Sequence, residues 1–337
     1  KSLLYYDVSE NYTVLKNEYD VANASQQQKL TASNLGGNDE FGYSVDIYGD
    51  YAIVGARYED TGSSNAGSAY IFYRSDGTWT QQQQIQASDR NNSDYFGTSV
   101  GIYGDYVVIG AYEDDDNGDD SGSAYIFVRD GTSWSQQAKL TANDGAAVDR
   151  FGTAVGLYGE YAIVGSRNDD DNGSNSGSAY IFVRDGTSWS QQAKLTDTNG
   201  AQSDYLGYSV ALYGNYAVVG AYGDNNSEGC AIIYSRTGTT WTQRKQLEGS
   251  DSTTSDKFGF SVSAHGNTII CGANQDTVSG QSDSGSAFIF ISDQLEDSLV
   301  RDDPRWHSNI NFDVSGDLHF TGELYKNGSV INTGGAQ

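Results

Sequence analysis

One stretch recurs along this chain and sets what it can fold into. Its clearest copy, Phe151–Thr196, reads FGTAVGLYGEYAIVGSRNDDDNGSNSGSAYIFVRDGTSWSQQAKLT. The opening aromatic-Gly pair falls at Phe41, Phe96, Phe151, Leu206 (as Leu-Gly) and Phe258, a spacing of 55 residues three times and then 52. An apolar-Gly-Ala or apolar-Gly-Ser core follows at Gly55, Gly110, Gly165, Gly220 and Gly272. Two copies are identical over twenty residues, Gly122–Thr141 and Gly177–Thr196. A period of about 50 residues means a radial or linear array of small units, each unable to bury its apolar face alone.

Within one unit the pattern reads as four strands. FGTSVGIYG alternates, DYVVIGA is β-branched and doubly apolar, SAYIFVR is apolar, and SWSQQAKL alternates after a Trp. Tyr-Gly-Asp, an acidic Gly-rich loop, Asp-Gly-Thr and an Asp/Asn-rich loop separate them. Four antiparallel strands repeated radially form the blade of a β-propeller. The fold predicted is all-β, a five-bladed propeller over residues 24–292. The fifth unit ends at SAFIFIS without a Trp strand, while ASQQQKLTAS (Ala24–Ser33) precedes the first Phe-Gly. That N-terminal strand is expected to complete the last blade and close the ring, removing an open sheet edge.

Composition narrows the partners. A net charge of −26 excludes nucleic acid and argues against anionic membrane surfaces. No apolar run is long enough for a membrane-spanning helix, so no membrane insertion is expected. The chain starts at Lys1 and lacks Met, as expected of a processed form. The acidic, Tyr-rich, Lys-poor makeup suits an extracellular setting or the surface of a cell or virion. Six Asn-X-Ser/Thr sequons, at Asn11, Asn23, Asn91, Asn172, Asn225 and Asn327, are compatible with glycosylation. Cys230 and Cys271 replace small or apolar strand residues in neighbouring units and read as core residues, with a disulfide as the alternative.

The Phe-Gly and Val-Gly-Ala signatures resemble the FG-GAP repeat of integrin α-chain propellers. The run GSAYIF, followed by Trp-X-Gln-Gln-Ala-Lys-Leu, is more similar to FG-GAP proteins secreted by microbes. The resemblance covers the propeller region and implies the fold, with adhesion among its many roles. Integrin calcium loops lie between the Phe-Gly strand and the Gly-Ala-Pro strand. Here that connection is only Tyr-Gly-Asp, so those sites do not carry over. Outside the ring lie residues 1–23, with strand-like alternation, and residues 293–337. The latter begin with an acidic linker and continue as hairpins turning at Ser315-Gly316 and Asn327-Gly328. This tail is similar in style to short β-repeats of viral and phage fibre proteins.

Antiparallel connectivity sends alternate loops to opposite faces. One face is acidic. Asp114, Asp116 and Asp120, and more weakly Asp169 and Asp171, stand at alternate positions around a Gly, as calcium loops do; a solvated acidic turn is the other reading. The second face gathers Tyr48, Tyr51, Tyr103, Tyr106, Tyr158, Tyr161, Tyr213 and Tyr216 with Arg129 and Arg184, suited to a glycan or protein ligand. Part of this set is equally suited to packing between blades. Faces of different charge, together with two strand-like tails, suggest self-assembly by face-to-face stacking or through terminal strands. The three histidines, His265, His307 and His319, form no triad or metal pattern, so no enzyme is expected. The expected function is a non-catalytic structural or adhesive unit of an appendage, fibre or matrix. The alternative is a monomeric lectin-like or integrin-like adhesion domain.

Overall fold

The computed structural model describes residues 3–7, 12–16, 26–34, 36–291, 325–326 and 329–330. At the N-terminus β1 (Leu3–Asp7) pairs antiparallel with β2 (Tyr12–Lys16). Then come five sheets in sequence. The first blade holds β3 (Val45–Tyr48), β4 (Tyr51–Ala56), β5 (Ser68–Ser75) and β6 (Thr78–Ile85). The second holds β7 (Ser99–Tyr103), β8 (Tyr106–Ala111), β9 (Ser123–Asp130) and β10 (Ser133–Leu140). The third holds β11 (Phe151–Tyr158), β12 (Tyr161–Ser166), β13 (Ser178–Asp185) and β14 (Ser188–Leu195). The fourth holds β15 (Leu206–Tyr213), β16 (Tyr216–Ala221), β17 (Cys230–Thr237) and β18 (Thr240–Leu247). The fifth has three strands, β19 (Phe258–His265), β20 (Thr268–Ala273) and β21 (Ser286–Ile291). β22 (Tyr325–Lys326) pairs antiparallel with β23 (Ser329–Val330), and the predicted turn at Asn327-Gly328 lies outside the described residues. The Ser315-Gly316 turn and the linker lie outside the described residues.

Every neighbouring pair within a blade is antiparallel, and the tight turns pair Tyr with Tyr, as in Tyr103↔Tyr106 and Tyr158↔Tyr161. The core lies between blades. Ile53, Ile71 and Ile85 of the first blade pack on Val100, Ile102, Val107 and Ile109 of the second. Val108, Ala124 and Ile126 on the opposite face of the second blade meet Phe151, Ala162 and Val164 of the third. The second strand of each blade is therefore apolar on both faces, as its continuous apolar run requires.

The junctions close on backbone. A Cβ on Gly55, Gly110, Gly165 or Gly220 would stand 2.0, 2.0, 1.9 or 2.0 Å from the carbonyl oxygen of Gly97, Gly152, Gly207 or Gly259 in the next blade. No side chain fits there, so these strand glycines set the blade-to-blade distance. On the rim, a β-bulge leaves Gln82, Gln137 and Gln192 unpaired in their outer strands. Each bulged Gln accepts, through its side-chain oxygen, an indole N–H from the next blade: Trp134, Trp189 and Trp241, each at 2.9 Å.

Among the described residues the strand expected from Ala24–Ser33 is not paired with the fifth blade. The fifth sheet has three strands, and residues 26–34 form no strand with it. They lie instead along the outer strand of the first blade. Gln28 and Trp79 exchange hydrogen bonds of 2.7 and 2.9 Å, as Gln83 and Trp134 do at 2.7 and 2.8 Å one blade later. The physical reason is that an outer strand touches two blades. Among the described residues only the contact with the first blade is made.

Gly110→Ala is expected to destabilise the fold by about 3 kcal/mol, because its methyl must displace a carbonyl. Gly104→Ala, at a left-handed turn with open space around it, should cost only about 1 kcal/mol. Urea unfolding of both variants checks the contrast.

Candidate functional site

The acidic face is built from the loops between the second and third strands and those linking blades. In the second blade they converge on a lysine. Lys139 Nζ lies 2.8 Å from Asp89 Oδ2 and 3.0 Å from Asp114 Oδ2, and also touches the Asp116 carboxylate. The Tyr125 hydroxyl donates to Asp114 at 2.8 Å and to Asp89 at 3.0 Å, and its ring lies 5.2 Å from the ammonium. The third blade repeats this: Lys194 Nζ stands 2.8, 2.8 and 2.5 Å from Asp144, Asp169 and Asp171, with Tyr180 beneath. Burial alone would lower both ammonium pKa values, but the surrounding carboxylates outweigh it and raise them. Burial likewise pushes Asp89 and Asp144 up, yet their lysines hold both below the usual range.

Four of the five residues proposed for calcium thus belong to lysine-centred cages. Asp114 and Asp116 surround Lys139, and Asp169 and Asp171 surround Lys194. Asp120 is elsewhere, grouped with Asp115 and Asp119 in the same exposed loop and 3.8 Å from Arg150. Calcium needs six to eight oxygen ligands. The cages supply three carboxylates whose convergence point is already taken by an ammonium, so they do not fit the ion while the lysine stays.

The other blades show that the cage is balanced as a unit. In the first blade the positions of Asp89, Asp114, Asp116 and Lys139 are held by Asn34, Glu59, Thr61 and Gln84. In the fourth they are Asn199, Asp224, Asn226 and Gln246, and Gln246 donates to Asp224 at 2.9 Å. Where lysine is lost, two of the three carboxylates are lost with it. A shallow acidic pocket results in the fourth blade, lined by Asp197, Asp224, Glu228 and Glu248.

A second carboxylate recurs in every blade. Asp39, Asp94, Asp149, Asp204 and Asp256 each accept a backbone N–H from three residues earlier, at 2.5–2.7 Å. Burial, with nearby loop aspartates, pushes Asp94, Asp149 and Asp204 up to about 6 despite these bonds. Sequence reading missed Lys139, Lys194, Asp89 and Asp144 as one unit. The joint replacement of lysine and aspartates between copies was the available signal.

The opposite face carries a ladder of rings. Tyr48, Tyr103, Tyr158, Tyr213 and His265 follow one another at centroid distances of 4.8, 5.1, 4.8 and 4.9 Å. They sit at the inner-strand ends, where consecutive blades converge. Tyr51, Tyr106 and Tyr161 are clamped between blades. Each lies against the next blade's Trp and under its arginine, Arg129, Arg184 or Arg236, at 4.4–4.6 Å. The same arginines reach back to the turn of their own blade, at Asp105, Glu160 and Asn215. Tyr216 is buried and donates to Gly266 O. The proposed binding residues therefore form one continuous band, most of it engaged in blade packing.

The sequons at Asn91, Asn172 and Asn225 are exposed on the acidic-face loops, and those at Asn11, Asn23 and Asn327 lie outside the described residues. Cys230 and Cys271 are free and buried, and burial pushes the Cys271 thiol up to about 12 and Cys230 up as well. Among the described residues no helix is long and apolar enough to cross a membrane.

Repeated four-stranded blades, glycine-closed junctions and aromatic-Gly entry strands define a β-propeller. The FG-GAP repeat model matches residues 24–72, 79–127, 134–182, 189–234 and 241–290, and the chain belongs to that family. A comparison with curated proteins finds no match.

Lys139→Met should cost about 2 kcal/mol, since it strands one buried and two half-exposed carboxylates. Replacing the whole cage by its fourth-blade version, K139Q with D89N and D116N, should restore most of that loss in chemical denaturation.

The folded chain keeps protons on Asp94, Asp149 and Asp204 up to pH about 6, whereas unfolded aspartate releases them near pH ~3.9. It therefore binds more protons than the unfolded chain across that window, and these groups make stability fall as pH rises through it. Asp89 and Asp144 act oppositely and lose their contribution below the unfolded value. The thermal midpoint should be higher near pH ~5 than at neutrality, and a D94N/D149N/D204N chain should show a flatter profile.

Proposed function

We propose that this chain is a non-catalytic adhesion or binding module of an extracellular or surface-exposed protein, serving as a displayed unit of an appendage, fibre or matrix. FG-GAP propellers are consistent with adhesion and binding roles and are generally not enzymes. One observation carries the reading. Each chemically distinctive constellation recurs from blade to blade and is spent inside the fold. The raised aspartates lock loops, the lysines fill their cages, and the arginines clasp the next blade's tyrosine. A reaction centre is a single place, whereas repeated geometry suits repeated display or multivalent contact.

The ligand this reading favours is a protein or glycan on the tyrosine ladder, where Tyr48 and Tyr213 are half-buried and Tyr158 is buried between them. A monomeric lectin-like module is the second reading, favoured by the continuity of that ladder across the blades. The test is an array of glycans and matrix proteins probed with the chain. A Y48F/Y213F variant keeps the ring packing and removes the hydroxyls of two half-buried rings. Binding is expected to weaken about tenfold or more with unchanged unfolding, the equivalent of one or two hydrogen bonds. Undiminished binding by that variant would move the ligand off this face, and turnover of an array component would overturn the non-catalytic reading.

A further inference from the structure

The first and last blades expose the two halves of a missing junction. On the first blade, Val45 and Ile47 are 65% and 61% exposed, while their counterparts Val100 and Ile102, seated on a preceding blade, are 7% and 4%. On the fifth blade, Ile289 and Ile291 are 66% and 70% exposed, while Ile126, the counterpart of Ile289 that faces a following blade, is fully buried. The glycine contact is also split. Gly272, the fifth of the strand glycines, meets only Ser261 of its own blade, and Gly42, the counterpart of Gly97, has open space.

The rim repeats the pattern. Residues 26–34 hold the first blade as an outer strand holds its neighbour, and among the described residues no third strand pairs with them and β21 has no outer partner. Aligning Gln28-Lys29-Leu30 with Ala138-Lys139-Leu140 sets Lys29 opposite Phe288, as Lys139 stands opposite Tyr125. It also brings Lys29 to Asp251 and Asp276, which occupy the cage positions of Asp144 and Asp169. Among the described residues none of these three has an ion pair, and Lys29 is exposed.

We infer that these ends dock on each other between two copies of this chain: the fifth blade of one molecule receives residues 26–34 and the β3–β4 face of the next. A chain meeting its own end is disfavoured by the four interior junctions. Their glycine–carbonyl contacts fix each blade against the next, and with those junctions made the apolar faces of the first and fifth blades stand exposed. The contact is heterologous and so propagates head to tail. It gives the assembly reading above a mechanism, and it can fail while the ligand-binding reading stands.

The test uses the full chain with two single-ended variants, V45D/I47D and I289D/I291D, which alter only exposed residues. In sedimentation velocity the unaltered chain is expected to form oligomers that grow with concentration. Each variant alone should be monomeric. An equimolar mixture should stop at dimers, because each partner keeps one working end. K29E should weaken association of the unaltered chain about tenfold, and the loss should shrink at high salt. A monomeric unaltered chain, or association that persists in both variants, overturns the inference. So does an Ile47→Cys/Ile289→Cys chain that oxidises to a closed monomer rather than a ladder of multimers.

Discussion

The contact on which this molecule depends is the approach of a strand glycine to the carbonyl of the next blade's entry strand. It holds consecutive sheets near enough for Ile53 and Ile71 to interleave with Val100 and Ile102, and that interleaving is the core. Apolar burial supplies the energy, but it is non-directional and would accept many sheet separations. Backbone touching backbone does not. The repeated Gly-Ala or Gly-Ser therefore works as a spacer, and the bulged Gln with its Trp fixes the rim at the same interval.

Charge is handled with the same local economy. A chain of net charge −26 gathers carboxylates on one face, where mutual repulsion should loosen the loops. In the second and third blades an internal ammonium gathers three of them. In the first and fourth, the lysine and two carboxylates disappear together. Removing one partner of such a group leaves uncompensated charge, whereas exchanging the whole set is far cheaper. The cage thus differs as a block between the first four blades.

The period, the strand count of each unit and the sorting of loops to two faces were legible in the sequence, because each rests on local pattern: a 55-residue repeat, alternation and tight Tyr-Gly turns. The use of the loops was not. Asp114 and Asp116 look like calcium ligands when read along the chain, and only the fold carries Lys139, from the outer strand, and Asp89, from the preceding connection, to the same point. Tyr51 and Arg129 read as a recognition pair for a similar reason. They are separated by most of a repeat, and the clasp they form exists only across a junction. Closure failed as an expectation because a strand motif records what a segment can pair with and not whether its partner's edge arrives.

The two ends then follow from the same constraint as the middle. A repeat protein buries its faces on neighbours, and a terminal unit needs either a polar cap or a partner. Here both terminal blades keep large apolar residues on these exposed faces. Val45 and Ile47 keep the identities that bury Val100 and Ile102, and Ile289 keeps that of Ile126. Glycine persists at Gly272, where no neighbouring blade presses, although a strand glycine costs stability unless a backbone must come close. Among the described residues Lys29 keeps a cation with no carboxylate, and Asp251 and Asp276 keep carboxylates with no cation. Each of these features is unfavourable in an isolated molecule, and all are relieved by the same contact.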